Sequence, residues 1–336
     1  MTREQRTLRS FRACVAHHVV RSNPWNMLDI PRRPTVAIVG AGAIGLVVAD
    51  ALTASSSVLL CRRGNSASMT LEVDGATRTV DAAVAGSPAG LAPVDWVVVT
   101  TKAQDTAATG PWLEALVGPD TRVVVLQNGI GHAERVAAWV PAERVLPGIV
   151  YIAAEKVGRD HVVCRNIGSL ALAASPDGAS HAEAFAALVA ATVPVRLVED
   201  FVTESWTKLV MNSALNTITA LTDRTMEVTG DAGVRPLIRS LLVEAVAVAT
   251  SQGAHFAPGS AELFLAKMDA LPRNSATSML LDRRASRPLE HAYLTGAVVA
   301  AAARAGIAVP HLALVHSLIE AVDAGAMSLQ KQQLAA

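Results

Sequence analysis

Lys208, Asn212 and Asn216 recur at every fourth position of Trp206-Thr-Lys208-Leu-Val-Met-Asn212-Ser-Ala-Leu-Asn216. On an α-helix these three fall within about 80° of one another, on a single stripe. Their neighbours Leu209, Val210, Met211, Leu215 and Ile218 are apolar, which predicts a mostly buried helix. An ammonium and two carboxamides on such a helix are costly unless they pair or face a cleft. In a cleft they could do definite chemistry. The lysine, with an ordinary pKa of about 10.4, could stabilise negative charge growing on a carbonyl oxygen and then protonate it. The amides could orient a polar ligand and reject one lacking partner groups. A solvated polar face is the plainer reading, but such faces usually mix charges and glutamine.

A second cluster is Ser278-Met-Leu-Leu-Asp282 followed by Ser286-Arg-Pro288-Leu-Glu290. Pro288 suits the first turn of a new helix, which predicts Glu290 near a helix N-terminus, where the dipole stabilises a carboxylate. From the residues alone, Glu290 reads equally well as a helix-start acid without chemistry.

Gly40-Ala41-Gly42-Ala43-Ile44-Gly45 follows a short apolar run and opens a helical one. In that context the first glycine permits a tight turn, the second lets the backbone approach a pyrophosphate, and the third lets helix pack on strand. The helix N-terminus offers free N–H groups to the phosphates. The next strand ends in Cys61-Arg62-Arg63-Gly64, with no acid to bond a ribose 2′-hydroxyl. A guanidinium there suits a 2′-phosphate, so NADP is expected, with Arg62 the first choice of contact and Arg63 the second. Lys102, in Thr100-Thr-Lys102-Ala, and Asn128, in Gln127-Asn128-Gly129, end two further strands. In an open α/β sheet ligands bind beyond those ends, which predicts both beside the reactive end of the cofactor.

The elements that must position these groups fall into two kinds. Thr35–Val39, Ser57–Cys61, Asp95–Thr100 and Arg122–Leu126 read as buried strands, with helices after the first and before the last. Met69–Val73 and Thr77–Asp81 alternate around Asp74-Gly75, a hairpin signal. Residues 145–175 read as shorter strands, followed by a helix near 180–191 and a strand at Val195–Val198. This order predicts a doubly wound, Rossmann-type α/β domain over residues 34–198. Beyond Glu199 every long segment has helical periodicity, with stops at Gly230, Gly253, Pro272, Pro288 and Gly306, which predicts an all-α domain over 199–330. Residues 1–33 hold seven arginines against Glu4 and Asp29 and read as a basic, disordered or non-native extension, with Met27 an alternative start.

Composition sets the bounds. The 336 residues are 51% hydrophobic and 17% charged, a globular balance, and 29 basic residues offset 29 acidic ones. No global field therefore favours nucleic acid or an anionic membrane. Cys14, Cys61 and Cys164 lack metal-like spacing and suggest a reducing, cytoplasmic compartment without disulfides or zinc. His291, His311 and His316 show no metal-ligand spacing either, so no metal is expected.

Six motifs, in order from about residue 35 to 315, resemble those of the ketopantoate reductases: Gly40-Ala-Gly-Ala-Ile-Gly45, Thr101-Lys102-Ala, Leu126-Gln-Asn128-Gly129, Trp206-Thr-Lys208-Leu-Val-Met-Asn212, Ser278-Met279-Leu280 and Arg287-Pro-Leu-Glu290. The resemblance implies a helical domain like the C-terminal one of 6-phosphogluconate dehydrogenase. It also implies NADPH-dependent reduction of 2-dehydropantoate to pantoate, a coenzyme A precursor, by an oxidoreductase acting on CH–OH groups. On it, Lys208 would be the general acid, and Glu290 would hold that lysine or the substrate hydroxyl and touch the cofactor. Asn212, Asn216 and Ser278 would bind the substrate's hydroxyl and carboxylate. Lys102 and Asn128 would lie beside nicotinamide and substrate, Gly40 to Gly45 and Arg62 would bind NADP, and a homodimer is a possible assembly. The chain departs from the family pattern at Glu290-His291-Ala292, Thr295-Gly296 and Ser275, which bears on which 2-oxo acid fits. Two other functions stay open: a reductase of another branched 2-oxo acid, and an NADP-sensing protein without turnover.

Overall fold

The apolar run Thr35–Val39 sits at the centre of a sheet, as a strand without polar side chains to satisfy should. A computed structural model describes residues 32–64, 68–174 and 179–335, so the basic extension expected at the N-terminus and Cys14 lie outside the described residues, save Arg32 and Arg33. In chain order the first half holds β1 (Thr35–Val39), α1 (Ala43–Thr53), β2 (Ser57–Cys61), β3 (Thr70–Val73), β4 (Ala76–Thr79), β5 (Ala83–Ala85), β6 (Trp96–Val99), α2 (Gly110–Leu116), β7 (Arg122–Val125), α3 (His132–Val136), β8 (Val145–Val150), β9 (Ala153–Lys156), β10 (His161–Asn166), β11 (Leu170–Ala173), α4 (Ala179–Val189) and β12 (Val195–Val198).

Eight of these strands form one sheet in the order β12-β11-β8-β7-β6-β1-β2-β5. Its pairings are parallel except for β8 with β11. Leu46, Val48 and Leu52 of α1 pack on one face with Phe185 of α4, and Trp112, Leu113 and Val136 of α2 and α3 cover the other. This is the doubly wound sheet that the strand–helix alternation predicts. The helix expected after Gln104 begins as a 3-10 turn, Ala103–Thr109, and becomes α-helical only at Gly110, where Pro111 takes the first turn.

A second sheet, β4-β3-β10-β9, was not legible in the strand periodicity. The β3–β4 hairpin turns through Asp74 and Gly75, at φ 51° and 80°, the left-handed pair that a two-residue hairpin favours. Its strand β3 then pairs in parallel with β10, which returns antiparallel on β9.

The chain leaves the sheets at β12 and enters α5 (Phe201–Thr222) through Asp200, whose side chain caps the helix by accepting from the Thr203 amide. Then follow α6 (Arg235–Ser251), α7 (Ser260–Asp269), α8 (Ser278–Arg284), α9 (Thr295–Ala305) and α10 (Pro310–Ala335). Trp206, Leu209 and Ile218 of α5 share a core with Leu241, Phe264, Val298 and Leu312. The predicted apolar flanks thus bury α5 and leave its polar stripe for the side that faces the sheet. No helix among the described residues is long and apolar enough to cross a membrane.

Candidate active site

Gly40 adopts φ +113°, and a Cβ there would lie 2.6 Å from the Thr101 amide nitrogen. A Cβ at Gly45 would meet the Gly40 carbonyl oxygen at 2.1 Å. Both positions therefore exclude any side chain, Gly40 also by its backbone conformation. Gly42 differs: a Cβ there would meet nothing within 4 Å. It faces open space at the start of α1, and no side chain caps that helix. A backbone without side chains, at an uncapped helix N-terminus, is the cradle a pyrophosphate requires.

That space belongs to a cleft of about 1400 Å³. Of the residues singled out in the sequence, all but Gly45 line it: Gly40 to Ile44, Arg62, Arg63, Lys102 and Asn128 from the α/β half, and Lys208, Asn212, Asn216, Ser278 and Glu290 from the helical half. Gly45 lies behind, packing helix to strand.

At the bottom of the cleft three groups form a chain. Lys208 donates to Asn128 Oδ1 at 2.9 Å and to the Val150 carbonyl at 2.6 Å. Asn128 Nδ2 in turn donates to Glu290 Oε2 at 3.1 Å. An ammonium can only donate and a carboxylate only accept, so the two neighbours fix which way the amide points. Two of the three Lys208 hydrogens are thereby used; the third has no hydrogen-bond acceptor among the described residues, and the ammonium lies 5.8 Å from the centre of the Tyr151 ring. Burial pushes the Lys208 pKa down to about 8; the nearby Lys102 charge adds to this and Glu290 opposes it. The ordinary lysine value expected from sequence is thus replaced by one near neutrality, where an acid transfers its proton more readily.

Glu290 is buried, and its place differs from expectation. Residues 287–290 are not helical: a 3-10 turn starts at His291 and α9 only at Thr295. Pro288 therefore opens no helix, and Glu290 does not stand in the first turn of a helix of its own. Specific donors hold it: Lys102 Nζ at 3.0 Å, the Ala103 amide at 3.0 Å and Asn128. Burial works against its charge, but these donors outweigh burial and keep its pKa below the usual carboxylate value. Glu290 makes no hydrogen bond to Lys208; Asn128 stands between them.

Asp282 belongs to the second sequence cluster, but sequence reasoning gave it no role. It is buried, takes Lys102 Nζ at 2.7 Å and accepts from Arg287 Nε at 2.9 Å. Burial alone would lower the Lys102 pKa, but Glu290 and Asp282 together raise it. The available signal was spacing, because Asp282 lies four residues after Ser278 and so shares its face of α8. Gln127 was also missed. It is buried and its amide donates to the Thr101 carbonyl and hydroxyl, tying the Asn128 loop to the Lys102 loop. His132, held at a pKa of about 3 first by burial and then by Arg135, stays neutral and bonds the Gln127 carbonyl at 3.0 Å.

Farther up α5, Asn216 Nδ2 reaches Ser278 Oγ at 3.4 Å, while Asn212 lines the cleft between Lys208 and Asn216. At the other end of the cleft Arg62 is engaged by Asp160 Oδ1 at 2.5 Å, a pairing the sequence did not suggest. Among the described residues no group of three or more His, Cys, Asp or Glu side chains could hold a metal ion.

A Rossmann-type nucleotide cleft, completed by a helical domain that brings a buried lysine to it, is the architecture of an oxidoreductase. The family model for ketopantoate reductase PanE/ApbA matches residues 36–177, and that for its C-terminal domain matches residues 200–323. The 2-dehydropantoate 2-reductase of Caulobacter vibrioides is 38% identical over 290 residues, covering 85% of this chain and 98% of that protein. The chain belongs to the ketopantoate reductase family. The solved structure of the dimeric ketopantoate reductase from Staphylococcus aureus shares its fold, with a TM-score of 0.77, 24% identity and coverage of 87% and 99% of the two chains. So does the ternary structure of D-mandelate dehydrogenase with NADH and anilino(oxo)acetate, with a TM-score of 0.79, 19% identity and the same coverage.

Proposed function

We propose that this chain is a cytoplasmic 2-dehydropantoate 2-reductase, reducing that ketone with NADPH to (R)-pantoate for pantothenate and coenzyme A synthesis. The observation that carries this reading is the one uncommitted hydrogen of Lys208, at the bottom of a cleft whose other end is a glycine turn. The bound nicotinamide supplies the hydride. Lys208 hydrogen-bonds the ketone oxygen, stabilises the charge that grows on it and gives it a proton. Asn128 holds the ammonium in line, and Glu290, through Asn128, favours its charged form. Asn212, Asn216 and Ser278 grip the substrate's hydroxyl and carboxylate. Lys102, turned toward Glu290 and Asp282, favours the charged form of Glu290 and would lie beside the nicotinamide. The glycine turn takes the pyrophosphate, and Arg62 takes the 2′-phosphate.

A spectrophotometric assay of NADPH oxidation with 2-dehydropantoate tests this. Lys208→Ala is expected to lower kcat by about 10² to 10⁴, the usual worth of a positioned acid. Equal rates in the two proteins would refute the role of Lys208. A second reading, reduction of another branched 2-oxo acid, is favoured by Ser275 and Asn274 in the cleft wall and by the shared fold of D-mandelate dehydrogenase. Comparing kcat/KM over a panel of 2-oxo acids separates the two.

A further inference from the structure

The corner of the cleft at the end of β2 holds more positive charge than the residues around it neutralise. Arg62 points into it with its side chain 8% exposed and paired to Asp160. Arg63 lines the same wall. The facing wall is the β9–β10 hairpin, closed by the Val157 and Gly158 amides donating to the His161 carbonyl. Lys156, the last residue of β9, lines the cleft from that side, and its register partner is Val162. Arg159, in the turn, reaches back so that its Nη2 lies 3.5 Å from where a Cβ at Gly64 would stand. Asp160 of the same turn holds Arg62 and bonds Thr70 through its carbonyl. Nearby Glu155 is taken by Arg165 at 3.2 Å, and Glu72 lies 3.6 Å from His161. Among the described residues Arg63, Lys156 and Arg159 have no carboxylate within ion-pair distance.

We infer that Lys156 and Arg159 form the second half of the 2′-phosphate site, so that the phosphate is gripped between the end of β2 and the β9–β10 hairpin. This rests on the proposed use of NADPH. The charge balance supports it: four cations against Asp160 leave about three positive charges, and a phosphate monoester brings about two negative ones. Like charges gathered without an anion repel one another, so the cluster gains most when an anion enters it. Burial first and the Arg62 charge second hold the Lys156 ammonium below its ordinary pKa, as expected of a cation awaiting a partner. Asp160 orients Arg62 through one Nη1 contact, which leaves the remaining guanidinium N–H groups for phosphate oxygens.

Calorimetric titration with adenosine 2′,5′-bisphosphate and with 5′-AMP tests the assignment without turnover. The unmodified protein is expected to prefer the bisphosphate. Lys156→Gln should weaken the bisphosphate about tenfold, the value of one charge-assisted hydrogen bond at a partly hydrated site, and leave 5′-AMP unchanged. Lys156→Arg should restore most of the preference, and Arg159→Gln should act in the same direction as Lys156→Gln. Equal loss for both nucleotides, or no loss for either, overturns the inference while NADPH use stands. An unmodified protein that does not distinguish the two nucleotides overturns the inference and NADPH use together.

Discussion

Replacing Glu290 by Gln keeps the shape of the side chain and removes one negative charge from the chain that ends at Lys208. The ammonium and the carboxylate are bonded to opposite ends of the Asn128 amide, at 2.9 and 3.1 Å, which separates the charges by about 7 Å. At an effective dielectric constant of about 20 their attraction is about 2 kcal/mol, equivalent to about 1.5 pH units. Glu290 raises the Lys208 pKa, so its removal lowers it, from about 8 to about 6.5. At pH 7 the protonated fraction then falls from about nine-tenths to about a quarter. The assay is kcat/KM for ketone reduction with NADPH between pH 5 and 10. The unmodified enzyme should hold a plateau below pH 8 and decline above it, because the acid is present only while the lysine is charged. In Glu290→Gln the decline should begin near pH 6.5. A decline that stays near pH 8 or moves upward would refute the electrostatic coupling through Asn128.

Gly45→Ala places a methyl group 2.1 Å from the Gly40 carbonyl oxygen, so the turn must open; the melting temperature and NADPH affinity should both fall. Gly42→Ala, with open space at that position, should leave the melting temperature unchanged and weaken only the nucleotide. Asp282→Asn leaves Lys102 with Glu290 as its one carboxylate partner. The Lys102 side chain is 37% exposed, so the expected loss in a denaturant titration is about 1–2 kcal/mol, below the 3–5 kcal/mol of a fully buried pair.

Residue patterns carried the main sheet, the helical half and the groups at the cleft, because each rests on local periodicity or on spacing along one element. The stripe of Lys208, Asn212 and Asn216 is a property of one helix and needs no knowledge of what it faces. What a stripe cannot show is its partner. That Asn128 lies between Lys208 and Glu290 depends on how β7's loop meets the segment before α9, a contact across 162 residues of chain. The misplaced helix start at Pro288 has a similar cause: proline is compatible with a first turn, but Glu290 is drawn by Lys102 and the Ala103 amide toward the other half of the molecule, and the chain stays irregular to reach them. The lowered pKa of Lys208 follows from burial, which composition cannot supply. The second sheet escaped notice because parallel pairing of β3 with β10 joins two hairpins that each look self-sufficient.

The pairing of β3 with β10 also bears on the order in which the molecule takes shape. Thr70 and Asp160 are joined across 90 residues of chain, so closing that contact sacrifices far more freedom than any hairpin within it. Such distant pairings form slowly. The wall opposite Arg62 is therefore complete only once two segments 90 residues apart have met, and until then the corner of the cleft at the end of β2 stands open on that side.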